Sequence, residues 1–181
     1  AVNVLFTESD DAWVELHDDL VFLKDGFLWT SERDGFRHLY LVGATTRQIT
    51  SGRWEVTRLL AADESTAWIE STEAGARERH VVSVNLRTGV RSKLTGTPGW
   101  HSARFSPTRR HFIDVHSDRA TPPRMAICRA DGSTGGLLDG DNPPTVREYG
   151  LPVSEFVTVD GMEAASVSYP TFESDLRHLI S

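Results

Sequence analysis

The feature that most constrains the fold of this chain is a strand-like motif that recurs along it. Each copy is a run of aromatic and β-branched residues that reaches a serine, at Phe27–Ser31, Thr66–Ser71 and His111–Ser117. Each copy is followed by a turn, a second apolar run, another turn and a short closing run, at Gln48–Thr50, Lys93–Thr95 and Leu137–Asp139. The copies recur roughly every 45 residues, a period typical of one four-stranded blade of a β-propeller.

The repeats predict an all-β chain, a β-propeller fragment of about three four-stranded antiparallel blades plus a following strand pair. The blades are placed at residues 1–52, 53–97 and 98–140. No segment between residues 20 and 140 has the apolar spacing of a long helix. Because one repeat cannot bury its apolar faces alone, we expect the chain to stack against further blades.

Strand boundaries in the first blade follow from turn residues. Asp25-Gly26 is a strong turn pair. Strands are predicted on both sides of it and at the start of the chain, at Val2–Phe6, Leu20–Leu23, Phe27–Glu32 and Phe36–Val42.

The composition changes after residue 140. Gly140–Pro144 has the prolines of a linker. Beyond it, strands are predicted at Glu155–Val159 and Ala164–Tyr169, joined by a turn at Asp160-Gly161. This pair belongs to a different unit from the blades.

Charge and hydropathy argue against two classes of partner. The net charge is −7, whereas a nucleic-acid-binding protein needs a basic patch to neutralise phosphates. The basic cluster at Arg104–Arg110 spans a turn, so we interpret it as a solvated hairpin tip. No apolar run reaches the ~20 residues of a membrane span, and Ala1–Phe6 lacks the basic region of a signal peptide.

Several side chains are of types that bind metals, and structural roles are favoured for all of them. His101, His111 and His116 lie in strand segments, and a metal would need further convergent ligands there. Asp139–Asn142 lacks the closing Glu of an EF-hand. His17-Asp18-Asp19 fits a capped turn. We therefore predict neither a metal nor a cofactor.

Cys128 and two tryptophans are assigned to packing. Cys128 is the only cysteine and lies in a predicted strand, where a buried, inert thiol is expected. Trp29 and Trp68 occupy equivalent positions in two repeats, so packing between blades is favoured over a ligand-stacking role.

Four segments, in order, resemble a known family. Phe27–Leu41 closely resembles the W-x-S-E-R-D-G-x-x-H-L-Y segment of dipeptidyl peptidase IV-like proteins, which are prolyl oligopeptidase-type serine peptidases with an N-terminal β-propeller. Three further segments resemble the same family, at Thr50–Val56, at Phe105–Pro107 with Asp114, Ser117 and Thr121–Pro123, and at Leu151–Val159. The resemblance covers roughly residues 10–160 and implies that residues 141–181 are a linker and the start of a truncated hydrolase domain.

The resemblance also implies an activity that this chain cannot perform by itself. The family removes N-terminal dipeptides with Pro or Ala in second position, using a serine in Gly-x-Ser-x-Gly followed by Asp and His. The sequence contains no Gly-x-Ser-x-Gly, and Asp131–Gly135 has its glycines in the wrong places. It also lacks the family's Glu-Glu motif for the substrate amino terminus. The longer protein of which this chain would be a segment, called the parent below, is expected to be the enzyme. This segment is expected to act in it as scaffold and substrate gate.

Trp13 and Glu15 are the candidate substrate-lining residues. The resemblance places them where the family has a loop facing the substrate cavity, although an aromatic packing on a blade edge explains Trp13 equally well. The expected partner of the intact parent is a peptide substrate, and the exposed blade faces predict self-association of this chain. Two alternatives stay open: a non-catalytic propeller module for protein interaction, and a sister peptidase with acylaminoacyl or endopeptidase specificity.

Overall fold

The computed structural model describes residues 4–9, 13–138, 156–159 and 162–165. These residues form three four-stranded antiparallel sheets and a separate two-stranded hairpin, and they contain no helix. The strands of each sheet follow chain order, which is the up-and-down arrangement of a propeller blade. The predicted all-β fragment with about three blades is confirmed. Among the described residues, no helix has the length and apolar character to span a membrane.

The blades occupy successive stretches of the chain. The first blade comprises β1 (Leu20–Leu23), β2 (Gly26–Ser31), β3 (His38–Val42) and β4 (Thr46–Gln48). The second comprises β5 (Val56–Ala62), β6 (Thr66–Ser71), β7 (His80–Asn85) and β8 (Arg91–Lys93). The third comprises β9 (Trp100–Phe105), β10 (His111–Ser117), β11 (Arg124–Arg129) and β12 (Thr134–Leu137).

The first hairpin depends on Gly26, which was predicted as a turn residue but is the first residue of β2, directly after the turn at Lys24 and Asp25. Gly26 has a φ of +152°, and a Cβ atom added there would lie 2.1 Å from the carbonyl oxygen of Val42 on β3. A side chain at this position would collide with the backbone of the neighbouring strand. Glycine is therefore required by both the backbone conformation at this position and the close approach of β3.

The closing strands lie earlier in the chain than predicted. The runs Gln48–Thr50 and Lys93–Thr95 were expected to be strands, but β4 and β8 end at the first residue of each run. The threonine that follows has a different role. The hydroxyl oxygen of Thr50 accepts the N–H of Leu39 at 2.9 Å, and that of Thr95 accepts the N–H of Val81 at 3.1 Å.

Both threonines also contact a histidine on the adjacent strand. The distance from the hydroxyl oxygen of Thr50 to Nδ1 of His38 is 3.1 Å, and the distance from that of Thr95 to Nδ1 of His80 is 2.9 Å. All four residues are buried. The repeated threonine therefore satisfies a backbone N–H and a buried ring nitrogen where the chain leaves the first and second blades.

The start of the chain differs from the prediction for a physical reason. Val4–Phe6, the described part of the predicted first strand, is irregular. Its contacts are made by side chains, since the ring of Phe6 lies 6.2 Å from those of Phe27 and Trp29. The segment lies over the first blade without extending its sheet.

Facing sheets enclose two apolar cores. The core between the first and second blades includes Leu28, Leu39, Val56, Leu59, Ile69, Val82 and Val84, and that between the second and third includes Val81, Ala103, Phe112 and Cys128. Successive side chains of β7 point to opposite faces, so this strand contributes to both. Cys128 is 5% exposed, and burial raises the pKa of its thiol, which confirms the predicted buried cysteine.

The final pair of strands is a tight hairpin. β13 (Phe156–Val159) pairs antiparallel with β14 (Met162–Ala165), with Val159 opposite Met162. The first strand was predicted from Glu155, one residue before its start at Phe156, and the second begins two residues earlier than expected, at Met162. The predicted linker Gly140–Pro144 and the candidate calcium residues Asp139–Asn142 lie outside the described residues.

Candidate functional site

A cleft lies beside the first blade, where β2 enters the turn to β3. Its walls are formed by residues of the N-terminal segment and of the first blade, namely Glu8, Trp13–Glu15, His17, Trp29–Arg33 and Arg37. Both sequence-predicted residues, Trp13 and Glu15, line this cleft. The free volume inside is about 20 Å³, which is the space of roughly one water molecule.

Glu8 is the residue that organises the cleft, and sequence reasoning missed it. One carboxylate oxygen, Oε1, accepts the hydroxyl of Ser31 at 2.7 Å. The other, Oε2, accepts the indole N–H of Trp29 at 2.9 Å and a guanidinium N–H of Arg33 at 3.1 Å. These contacts fix the N-terminal segment to the end of β2.

Arg33 lies between this carboxylate and two aromatic rings. Its Nε donates to the hydroxyl of Ser31 at 2.8 Å. Its guanidinium carbon is 4.7 Å from the ring centre of Tyr40 and 5.2 Å from that of Phe6, both within cation–π range. Burial, with a contribution from the Asp34 carboxylate, raises the pKa of Tyr40 to about 12, so the ring is a neutral phenol under physiological conditions.

Glu15 takes part in a second charged cluster. A guanidinium N–H of Arg37 donates to Oε2 of Glu15, and Nε of Arg37 donates to Oε1 of Glu32 at 3.1 Å. The Arg37 side chain is 12% exposed, whereas that of Glu15 is 60% exposed. Arg37 therefore holds Glu15 at the mouth of the cleft and ties the N-terminal wall to the β2–β3 turn.

Trp29 and Trp68, which were both predicted to pack between blades, lie in different environments. Trp68 is buried and contacts Phe105 at 5.3 Å between ring centres, as predicted for packing between the second and third blades. Trp29 instead faces the cleft, because its indole donates to Glu8 and its ring lies 4.3 Å from that of His17. Trp13 is 78% exposed at the rim.

The candidate ligand cluster His17-Asp18-Asp19 is occupied by structural contacts. Nε2 of His17 lies 2.9 Å from the carbonyl oxygen of Thr30. The carboxylate of Asp19 accepts the hydroxyl of Thr30 and the N–H of Leu59, both at 3.1 Å. Asp19 therefore links the first blade to β5 of the second.

The three histidines singled out in the third repeat do not converge on one point. His101 and His116 are paired residues on β9 and β10, whereas His111 lies at the other end of β10 and is exposed. Among the described residues, no group of three or more His, Cys, Asp or Glu side chains is arranged to hold a metal ion.

The cleft is suited to holding a polar, extended ligand at its mouth. A guanidinium has five N–H donors, more than the contacts above use, and carbonyl oxygens of a peptide are matching acceptors. The exposed ring of Trp13 offers an apolar surface beside Glu15 and Arg37. The small free volume means that a ligand would lie over this mouth or displace the Glu15–Arg37 pair.

Comparison with known proteins finds dipeptidyl peptidases among the relatives of this chain. The chain is 29% identical over 170 residues to the probable dipeptidyl peptidase 4 of Neosartorya fischeri, covering 80% of this chain and 21% of that protein. It is 32% identical over 129 residues to the inactive dipeptidyl peptidase 10 of Rattus norvegicus, covering 58% of this chain and 16% of that protein. The chain therefore spans about a fifth of the length of these relatives, or less.

The fold agrees with the same relationship. The crystal structure of Porphyromonas gingivalis dipeptidyl peptidase 4 matches this chain with a TM-score of 0.70 and 31% sequence identity, covering 81% of this chain and 22% of that one. A family profile described as "Dipeptidyl peptidase IV (DPP IV) N-terminal region" matches residues 1–123. This match extends over more than half of the 181 residues and agrees with the resemblance found in the motifs, so the chain belongs to the dipeptidyl peptidase IV N-terminal region family.

Proposed function

We propose that this chain is a propeller segment of a dipeptidyl peptidase IV-like serine exopeptidase. The parent removes N-terminal dipeptides with Pro or Ala in second position, and this segment supplies scaffold and substrate gating without a catalytic triad of its own. The observation that carries the proposal is the family match over residues 1–123, supported by a TM-score of 0.70 to a dipeptidyl peptidase 4 structure.

The domain organisation proposed for the parent follows from the same reasoning. Residues 1–140 form part of the propeller, and residues 141–181 contain the linker and the start of the hydrolase domain. The sheets Leu20–Gln48, Val56–Lys93 and Trp100–Leu137 support the first assignment. The separate hairpin Phe156–Ala165 supports a change of unit after the third blade.

Trp13 and Glu15 are proposed to line the path of the peptide substrate. Trp13 is exposed at the rim, and Glu15 is held at the mouth by Arg37. A peptide crossing this mouth would meet an aromatic face and a fixed pair of charges. Such contacts favour binding of the substrate, so their loss should affect KM more than kcat.

The activity is tested on the full-length gene product with a Gly-Pro chromogenic substrate. We expect turnover by the full-length protein and none by residues 1–181 alone. The longer gene should encode Gly-x-Ser-x-Gly downstream and a Glu-Glu segment upstream. Absence of both segments, or turnover by the isolated chain, contradicts the proposal.

The role of the cleft is tested with Trp13→Ala in the full-length protein. We expect a severalfold rise in KM with little change in kcat, since the indole contributes an apolar contact to the bound peptide. Trp100→Ala is the matched control, because Trp100 is 51% exposed but lies on the third blade. Equal kinetic effects of the two variants would show that Trp13 does not line the path of the substrate.

A non-catalytic role in protein interaction is the second candidate. It is favoured by one observation, the 32% identity to a relative named as an inactive dipeptidyl peptidase. In that case the full-length protein has no turnover, and its longer sequence lacks the nucleophile motif. The substrate assay and the downstream sequence therefore separate the two candidates.

A further inference from the structure

Three histidine rings stack at the junction of the second and third blades. His80 begins β7, His101 lies on β9 and His116 is near the end of β10. The ring centres of His80 and His101 are 5.1 Å apart, and those of His101 and His116 are 4.5 Å apart, with interplanar angles of 27° and 28°. The stack therefore connects a strand of the second blade to two strands of the third.

The central ring lies between two hydrogen-bond acceptors. Nδ1 of His101 is 2.8 Å from Oδ2 of Asp114, and Nε2 is 2.7 Å from the carbonyl oxygen of Thr97. Carboxylate and carbonyl oxygens only accept hydrogen bonds. Both ring nitrogens must then carry a proton to satisfy both contacts, so the geometry selects the imidazolium form of His101, which is 3% exposed.

The outer rings are satisfied without an additional proton. Nε2 of His80 donates to Oε2 of Glu78 at 2.7 Å, and its Nδ1 accepts the hydroxyl of Thr95 at 2.9 Å. Nε2 of His116 donates to the carbonyl oxygen of Pro98 at 3.0 Å. The contacts of each outer ring therefore need one ring proton, whereas those of the central ring need two.

The carbonyls that accept from His101 and His116 belong to a loop pressed against β10. Gly99 has a φ of +130°, and a Cβ atom there would lie 2.6 Å from the carbonyl oxygen of Ser117 and 2.9 Å from Nε2 of His116. The loop is thus held close to the stack by packing as well as by hydrogen bonds. The carbonyl oxygens of Thr97 and Pro98 are therefore held in position by the loop, independently of the proton on His101.

Charges from each neighbouring element act on the central ring. Burial opposes the charged ring, as does Lys93 on β8, while the Asp114 carboxylate and the Thr97 carbonyl favour it. The favourable contacts prevail, so the pKa of His101 is raised above its usual value. The remaining neighbours are His80 with Glu78 on the second blade and His116 with Asp118 on the third.

We propose that this stack is a pH-responsive joint between the second and third blades, closed while His101 carries its proton and weakened when the proton is lost. A neutral ring can donate to only one of its two acceptors. The other acceptor then loses its donor, which opposes closure of the joint.

The direction of the pH dependence follows from the raised pKa. The unfolded chain releases the proton near the ordinary histidine value, about 6.5, whereas the native chain holds it to higher pH. The stabilisation is therefore complete below the unfolded value and is lost as the pH rises through the native value.

Hydrogen exchange measured by mass spectrometry on the full-length gene product tests the proposal. Exchange is followed from about pH 5.5 to 8.5 and corrected for the intrinsic pH dependence of the amides, a range chosen to bracket the ordinary histidine pKa. We expect protection of peptides from β9 and β10 to fall severalfold as the pH rises, with peptides from β2 and β3 unchanged. In His101→Gln this slope should be absent, whereas His111→Gln, on the same strand pair but outside the stack, should retain it.

A flat profile in the wild-type protein overturns the proposal, as does a slope that persists in His101→Gln. If His101→Gln fails to fold, ¹⁵N chemical shifts of histidine-labelled wild-type protein decide the matter. Two protonated ring nitrogens on His101 at neutral pH support the joint, and a neutral ring contradicts it. Asp114→Asn provides a further check, because it should lower the pKa of His101.

Discussion

At the residue scale, buried polar groups make some of the contacts that join separate parts of the chain. Asp19 is 9% exposed, and its carboxylate binds the hydroxyl of Thr30 on the first blade and the N–H of Leu59 on the second. Its neighbour Asp18 is exposed. Comparing substitutions of Asp18 and Asp19 therefore distinguishes the effect of losing the buried hydrogen bonds from the effect of losing one negative charge.

Replacing Asp19 by Ala should lower the free energy of unfolding by roughly 1–3 kcal/mol, since it leaves a buried N–H and a buried hydroxyl without their acceptor. The measurement is urea denaturation of the chain, followed by tryptophan fluorescence. Asp18→Ala is the control and should leave the midpoint nearly unchanged. Equal midpoints for the two variants would contradict the role assigned to Asp19.

The residues of the candidate site differ in how far the sequence could reveal them. Trp13 and Glu15 were found through resemblance to a family, and both line the cleft. Glu8 was missed because its partners Trp29, Ser31 and Arg33 lie 21 to 25 residues away in sequence. No local spacing pattern encodes a contact between an irregular segment and the end of a strand.

At the scale of strands and turns, the sequence repeat and the turn residues were sufficient to predict which segments form paired strands. β1 lies at its predicted bounds, Leu20–Leu23, but the turn after it was predicted one residue late, since it comprises Lys24 and Asp25 and Gly26 already pairs with Leu23. The closing strands were misplaced because Ile49 and Thr50 resemble strand residues in composition. Both of their N–H groups bond to the carbonyl of Leu39, so their contacts are those of a strand end.

Gly26→Ala should disrupt the first hairpin, because the added methyl group would meet the carbonyl oxygen of Val42 at 2.1 Å and φ is +152°. We expect a loss of roughly 1–3 kcal/mol from the strained backbone alone. The collision adds to that loss. Thermal unfolding measures the effect, together with hydrogen exchange of β1.

Gly96→Ala is the matched control for this variant. Gly96 has no atom within 4 Å of an added Cβ, and its φ is not in the left-handed region. It should leave stability close to that of the wild type. A Gly26→Ala protein as stable as Gly96→Ala would show that the turn tolerates a side chain.

At the scale of the whole molecule, both ends of the stack of blades present apolar side chains. On the outer face of the first blade, Leu20 is 42% exposed and Phe22 is 64% exposed. On the third blade, Ile113, Met125 and Ile127 are 39%, 44% and 37% exposed. Apolar surface of this kind favours association.

We therefore predict that the isolated chain self-associates at concentrations of about 10–100 µM, as expected for exposed apolar patches. Sedimentation velocity measures the oligomeric state. Phe22→Ser should shift the equilibrium towards monomer, whereas the exposed polar substitution Arg87→Ser should not. A wild-type chain that stays monomeric in this range contradicts the prediction.

The two apolar cores share no residue among those described: one lies between the first and second blades, the other between the second and third. Each blade therefore packs only against its neighbours along the chain, as the units of a repeat protein do. Pulled from its ends, the chain should yield in separate steps, one junction at a time. One outer blade should detach first, while the other two blades stay packed against each other.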